Sequence, residues 1–258
     1  MSLLGRTVAG FTALPGTTRG IFWMVSATVF YAAAYGTIRH LSTDFGVFQL
    51  VFLRSFLGVI LMAPWLMRVG VGYLKTGHFG AYSFRTLLNY GGMVLLIFAL
   101  SSLPLQDVTA LMFTSPLFTV IFVVLFLGEK SGPRRWAALF IGFFGVLIIV
   151  RPGFQELTWA AVGILGTSAA YALVNVSTKT LARTDDSNKI VYYDFVLMSA
   201  VGLVPAILYW SAVRWEHVIW IVAMGIFSSL ARQCVIRALA EGEASVVMPF
   251  NFLKLPFT

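Results

Sequence analysis

Long apolar runs, broken by short segments carrying charge, proline or glycine, follow one another along the whole chain. Within them there is neither the alternation of a half-buried strand nor the polar stripe of a water-facing helix. A helix needs about 20 apolar residues to cross the hydrocarbon of a bilayer, where every backbone group must find a partner within the protein. The runs therefore predict nine membrane-spanning helices, at roughly 20–38, 45–67, 86–103, 107–127, 134–150, 158–178, 190–211, 217–236 and 244–258. The first is not a cleaved leader, because no small-residue cleavage site and polar mature chain follow it.

The second half of the pattern repeats the first. SATVFYAAAYGTIRHLS (Ser26–Ser42) aligns with GTSAAYALVNVSTKTLA (Gly166–Ala182), 140 residues on, which sets Tyr31 over Tyr171 and Arg39 over Lys179. The same offset carries Arg54 to Asp194 and Pro116 to Pro256, and slips of one residue pair Ala99–Leu100 with Ala238–Leu239 and Pro64 with Pro205. A near-constant offset over separate segments marks an internal duplication, the device by which many carriers build a central site with two gates. Each unit should hold five helices, an odd number, so the second enters the membrane inverted. The expected organisation is a cytoplasmic segment 1–19, a first repeat 20–153 and an incomplete second repeat 154–258. Thr258 corresponds to Phe118, in mid-helix, so the expectation is a ten-helix all-α bundle of which this chain lacks the last 30 to 40 residues, roughly.

Composition agrees with a membrane protein. Hydrophobic residues are 59% and charged ones 11%, against about a quarter charged in soluble domains. The single cysteine, Cys234, excludes an intrachain disulfide and a cysteine-based zinc cage, and no metal or cofactor is expected. The net charge of +8 is spread between apolar runs rather than gathered in a patch, which argues for membrane topology and against nucleic acid. With the N-terminus inside, the cytoplasmic segments hold eleven bases (Arg6, Arg19, Arg68, Lys75, Lys130, Arg134, Arg135, Lys179, Arg183, Lys189, Arg237) and the outer ones three (Arg39, Arg151, Arg214). That asymmetry sets the N-terminus in the cytoplasm. Trp23, Trp65, Trp159, Trp210, Trp215 and Trp220 fall at span ends, as an interfacial belt does.

One stretch is more specific. Ala99–Gly153 joins a fourth helix of small residues around Pro116, a Gly128–Glu129 turn, and a glycine-rich fifth helix ending in Arg151-Pro152-Gly153. In these features the chain resembles the drug/metabolite transporter superfamily, specifically its EamA-type members with five plus five helices. The resemblance implies a central cavity walled by helices one to four and six to nine. It also implies a secondary carrier of the bacterial inner membrane that moves a small amphipathic metabolite by alternating access. Its first reading is export of amino acids or related compounds, and its second is uptake of a vitamin or nucleotide-like metabolite.

Ionisable groups inside a bilayer are costly, so each is a candidate for function. Arg54 and Asp194 are mid-run: either they bind substrate, with Asp194 also the candidate proton carrier, or they neutralise neighbours near the interface. Arg232, deepest in its run, with Gln233 beside it and Ser228 and Ser229 a turn earlier, suits an anionic substrate group or a pair with Asp194. Asn89 shares a helical face with Arg85, and Arg85, nearer the cytoplasmic edge, reads as a topology anchor. Tyr31, Tyr35, Tyr171 and Asn175 recur four apart on the first helix of each repeat, as the lining of a cavity or as a packing face. Pro116, Pro249 and Pro256 break backbone hydrogen bonding in the fourth and ninth runs, beside Asn251, at a ligand site or a packed kink. Gly142, Gly145, Gly163 and Gly166 suit close helix approach.

The other classes find no support. There is no HExxH, no Ser-His-Asp constellation and no P-loop, and His40, His78 and His217 lie outside the apolar runs or at their ends. A channel would show rings of like charge or a filter loop, and neither is present. The expected partners are a small-molecule substrate, membrane lipid and candidate protons, with the chain acting as a monomer or homodimer.

Overall fold

A computed structural model describes residues 14–112, 114–128, 132–133, 136–137, 139–141, 143–144 and 159–257. Among them are nine α-helical segments: α1 (Gly16–Leu41), α2 (Val47–Val69), α3 (Phe79–Ser102), α4 (Leu105–Met112), α5 (Thr114–Leu127), α6 (Trp159–Leu181), α7 (Ser187–Leu208), α8 (Trp215–Glu241) and α9 (Ala244–Val247). Two 3-10 segments, Val71–Leu74 and Met248–Phe257, complete the list. Among the described residues seven helices are long and apolar enough to span, α4 and α5 counting together as Leu105–Leu127. The chain is a polytopic helical bundle. The expected fifth span, 134–150, falls largely outside the described residues, as do Glu129 and Arg151–Gly153; Gly128 closes α5 with φ at 65°, the left-handed region that favours glycine.

Two expectations need correcting. The run 244–258 is one α-helical turn followed by a 3-10 helix over Met248–Phe257, not a continuous α-helix. Pro249 has no N–H for the carbonyl of Ser245 and its ring crowds that carbonyl, so the tighter winding takes over. α3 also begins earlier than hydropathy suggested, at Phe79 rather than 86, which moves Arg85 well into the membrane-spanning segment.

The duplication is visible in the backbone. α1 ends at Leu41 and α6 at Leu181, and α2 begins at Val47 and α7 at Ser187, both 140 apart. α3 and α8 end at Ser102 and Glu241 and the next helices start at Leu105 and Ala244, both 139 apart. Pro64 and Pro205 lie inside α2 and α7, the second helices of the two repeats. Packing is reciprocal: α1 lies on α8, α3 lies on α6, and α2 lies on α7. Hydrogen bonds fix the directions. At one end of α2, the Gln49 amide donates to Ser211 O at 2.9 Å and accepts from Ser211 N at 2.8 Å, joining the α1–α2 turn to the α7–α8 loop. At the other end, Lys189 Nζ donates to Lys75 O at 2.7 Å and Tyr193 Oη to Leu74 O at 2.6 Å, joining the α6–α7 turn to the α2–α3 loop. Equivalent turns of the two repeats therefore point in opposite directions.

Repeat-equivalent cations also cap equivalent helix ends. Arg39 donates to Leu100 O at 3.0 Å and Leu103 O at 2.5 Å, past the C-terminus of α3, and Lys179 donates to Gly242 O, past the C-terminus of α8. Both sit where unpaired carbonyls and the helix dipole favour positive charge.

Close helix contacts come from glycines other than those expected. A Cβ on Gly58 would lie 2.5 Å from the Phe195 ring, on Gly225 2.7 Å from Leu57, and on Gly92 2.9 Å from Tyr171. Gly163 and Gly166 meet only Leu95, at 3.6 and 3.9 Å, while Gly142 and Gly145 lie outside the described residues. Large apolar side chains such as Phe22, Phe56, Ile60, Phe84, Leu87, Leu125, Ile207 and Ile219 face outward, which suits a lipid-facing surface. Trp159 and Trp215 are also exposed, at helix starts.

Candidate functional site

A cavity opens at the centre of the bundle. α1, α3, α6 and α8 form most of its wall, with α4, α5 and the final 3-10 segment; Arg54 is the contribution of α2, and α7 supplies no lining residue. Tyr31, Tyr35, Arg54, Asn89, Tyr171, Asn175, Arg232 and Asn251 all line it, as do Thr109, Ser115 and Ser228.

The first helix of each repeat brings its tyrosines to the cavity. Tyr31 and Tyr35 are a turn apart, with ring centroids 5.8 Å from each other, and Tyr171 enters from α6. Tyr171 reaches the cavity because α3 carries no side chain at Gly92, and its hydroxyl meets Met93 Sδ at 3.3 Å. Asn175, a turn further on, donates to Thr119 at 3.2 Å. Met24, Met93, Met112 and Met248 fill the spaces between; unbranched thioethers adapt to varied ligand shapes.

Behind this wall lies a charge network. Asp194 is fully buried on α7, takes Arg232 Nε on Oδ2 at 2.6 Å and Asn89 Nδ2 on Oδ1 at 2.9 Å, and forms an ion pair with Arg85 Nη1 at 3.3 Å. The Arg85 contact is an ion pair without hydrogen-bond geometry; its Nε donates to Thr178 at 3.1 Å. Arg85 is thus no topology anchor at the membrane edge but a fully buried member of the network, reached because α3 begins about two turns before the apolar run does. Asp194 touches the cavity only through Arg232 and Asn89. Gln233 points away, donating to Met62 Sδ at 3.0 Å.

Arg54 is different. It is 6% exposed, lines the cavity, and makes one hydrogen bond among the described residues, to Met93 Sδ at 3.3 Å. Arg232, equally buried, leaves Nη2 without a hydrogen-bond partner, and Ser228 Oγ is likewise unsatisfied. The cavity therefore offers donors and aromatic faces, and no carboxylate among the described residues.

Of the helix-breaking prolines, Pro116 is buried in the first turn of α5, and Pro249 lies within the 3-10 segment beside the lining residues Met248 and Asn251. The backbone of Pro256 continues that segment, and its side chain lies outside the described residues. Sequence reasoning missed Thr109, Ser115 and the four methionines, which carry no signal distinguishing them from packing residues in an apolar run. The ion pair of Arg85 had one signal, its spacing of four from Asn89.

Comparisons with known proteins agree with this architecture. The sequence profile of the EamA-like transporter family matches residues 18–151. A riboflavin transporter of Vibrio cholerae is 29% identical, over 92% of this chain and 82% of its own length. A riboflavin transporter of Brucella anthropi is 32% identical over 90% and 85%, and an S-adenosylmethionine uptake transporter of Rickettsia bellii 25% identical over 94% and 84%. A solved crystal structure superposes with a TM-score of 0.74 at 17% identity, covering 94% of this chain and 85% of that one, a likeness of fold. The chain is a multi-pass membrane transporter of small metabolites, not an enzyme.

Proposed function

We propose that this chain, which belongs to the EamA-like transporter family, takes up a vitamin with a planar ring system, of the riboflavin class, by alternating access. The observation that carries this reading is the lining of the cavity: the faces of Tyr31, Tyr35 and Tyr171 suit a flat heterocycle, and Arg54, Asn89, Asn175 and Asn251 suit its carbonyls and a hydroxylated chain. The names of the Vibrio cholerae and Brucella anthropi relatives support it. The family and the bacterial relatives support an inner-membrane location, and the eleven-to-three distribution of bases supports a cytoplasmic N-terminus.

Amino-acid export has less support. A substrate ammonium calls for a carboxylate, and Asp194, the only acid buried among the described residues, does not line the cavity. A nucleotide-like cargo is the second reading, favoured by the S-adenosylmethionine relatives, but the sulfonium of that compound would face arginines. We read Asp194 as the counter-charge of Arg85 and Arg232 rather than as the proton carrier, because both its oxygens are already engaged.

The test is uptake into proteoliposomes with riboflavin, S-adenosylmethionine and a set of amino acids, each with and without a pH gradient. Saturable riboflavin uptake, competed by flavin analogues and not by amino acids, is expected. Saturable amino-acid transport without flavin uptake would overturn the reading.

A further inference from the structure

The buried charges of the bundle do not balance. Among the described residues, three guanidinium groups, Arg54, Arg85 and Arg232, lie within the spans and are 6% exposed or less, against the single buried carboxylate of Asp194. Arg85 and Arg232 share that carboxylate. Two positive charges remain in surplus, and the one with no acidic partner among the described residues, Arg54, faces the cavity. Arg232 lines the same cavity, and its buried Nη2 has no hydrogen-bond partner among the described residues. A thioether is a poor acceptor, so the contact of Arg54 with Met93 leaves the guanidinium charge uncompensated.

We infer that the cavity binds an anion, or the anionic group of a ligand, against Arg54 with the free N–H of Arg232 beside it. A planar fork of donors on each arginine selects a carboxylate, phosphate or small inorganic anion. Tyr35 and Tyr171 line the same cavity as Arg54, so a ring attached to the bound group would have aromatic faces to stack on. The same surplus disfavours cationic cargo. The inference rests on charge and does not require the cargo to be a flavin. Two sources supply the chemistry: a free inorganic anion travelling with, or resident beside, a neutral cargo, or an acidic group on the cargo itself.

The experiment is thermal melting of the purified full chain in detergent, titrated separately with sodium chloride, inorganic phosphate, riboflavin and riboflavin 5′-phosphate. It is repeated with Arg54→Gln and with Arg19→Gln, which removes a partly exposed arginine that pairs with Glu241 and does not line the cavity. A saturable rise of about 3 °C or more at ten times the half-saturating concentration is expected for an anion bound to the folded state. It should vanish in Arg54→Gln and persist in Arg19→Gln, which separates it from ionic strength. A rise with chloride or phosphate identifies a free anion; a rise only with the flavin phosphate, absent with riboflavin, identifies an acidic group on the cargo. If Arg54→Gln does not fold, bromide located by anomalous diffraction beside Arg54 of the unaltered protein serves instead, and its absence there at saturating bromide overturns the inference. Riboflavin raising the melting temperature while no anion does so would also overturn it and leave the flavin reading standing. Anion binding without any riboflavin effect would sustain the inference and sink the flavin reading.

Discussion

Arg54 and Asp194 hold the same place in the two repeats, each the eighth residue of the second helix, yet one faces the cavity and the other lies sealed behind it. Opposite charges at equivalent positions break the symmetry that the backbone keeps. On one side of the pseudo-axis stands a cation with only a sulfur contact, and on the other an anion shared by two arginines and an amide.

Asp194→Asn leaves two buried guanidinium groups without their counter-charge. Removing one partner of a buried pair costs about 3–5 kcal/mol, so a large fall in melting temperature is expected. Transport should be lost whether or not a pH gradient is imposed. Retained exchange with only the gradient effect abolished would instead restore Asp194 as the proton carrier.

Tyr171 separates stacking from hydrogen bonding. Among the described residues its hydroxyl meets only the Met93 sulfur, so Tyr171→Phe should change the half-saturation for riboflavin by about threefold or less. Tyr171→Ala removes the ring and should weaken it by about tenfold, the scale of an aromatic contact with its buried area. Equal effects of the two would argue against a stacked cargo.

The turn between α6 and α7 should respond to acid. Burial raises the pKa of Asp185, but hydrogen bonds from Lys189 at 2.9 Å, Tyr82 at 3.0 Å and Thr76 at 3.2 Å outweigh it, and the net direction is down from 3.8. A depressed carboxylate contributes stability that is present above its ordinary pKa and lost as the pH falls through the lowered one. Melting temperature should therefore drop below about pH 4, and Asp185→Asn should be less stable at neutral pH with a shallower acid limb. Parallel pH curves for the two proteins would refute this role.

Gly58 and Phe195 set the approach of α2 to α7. Gly58→Ala pushes a methyl into the Phe195 ring and should cost about 1–3 kcal/mol. Phe195→Ala alone should cost about 3–5 kcal/mol. The double variant should be more stable than the sum of the two, by 1 kcal/mol or more, roughly, because the clash is gone. Additive losses would mean that the helices separate to absorb the methyl.

The sequence by itself determined seven of the nine expected spans and the register of the repeat, because the cost of unpaired backbone in hydrocarbon demands long apolar helices and duplication preserves their spacing. Tyr31 and Tyr171, each ten residues before its helix end, and the eighth-residue pair Arg54 and Asp194 were legible in that way. Tertiary structure alone decided which way each residue faces. In a membrane the lipid side of a helix is as apolar as the packed side, so periodicity cannot separate them and helix packing must. Hence Arg85 joined Asp194 instead of anchoring an edge, and Gln233 turned to Met62 while its neighbour Arg232 lined the cavity. For the same reason Gly58, Gly92 and Gly225, not Gly163 and Gly166, became the close contacts: a glycine is needed only where another helix arrives.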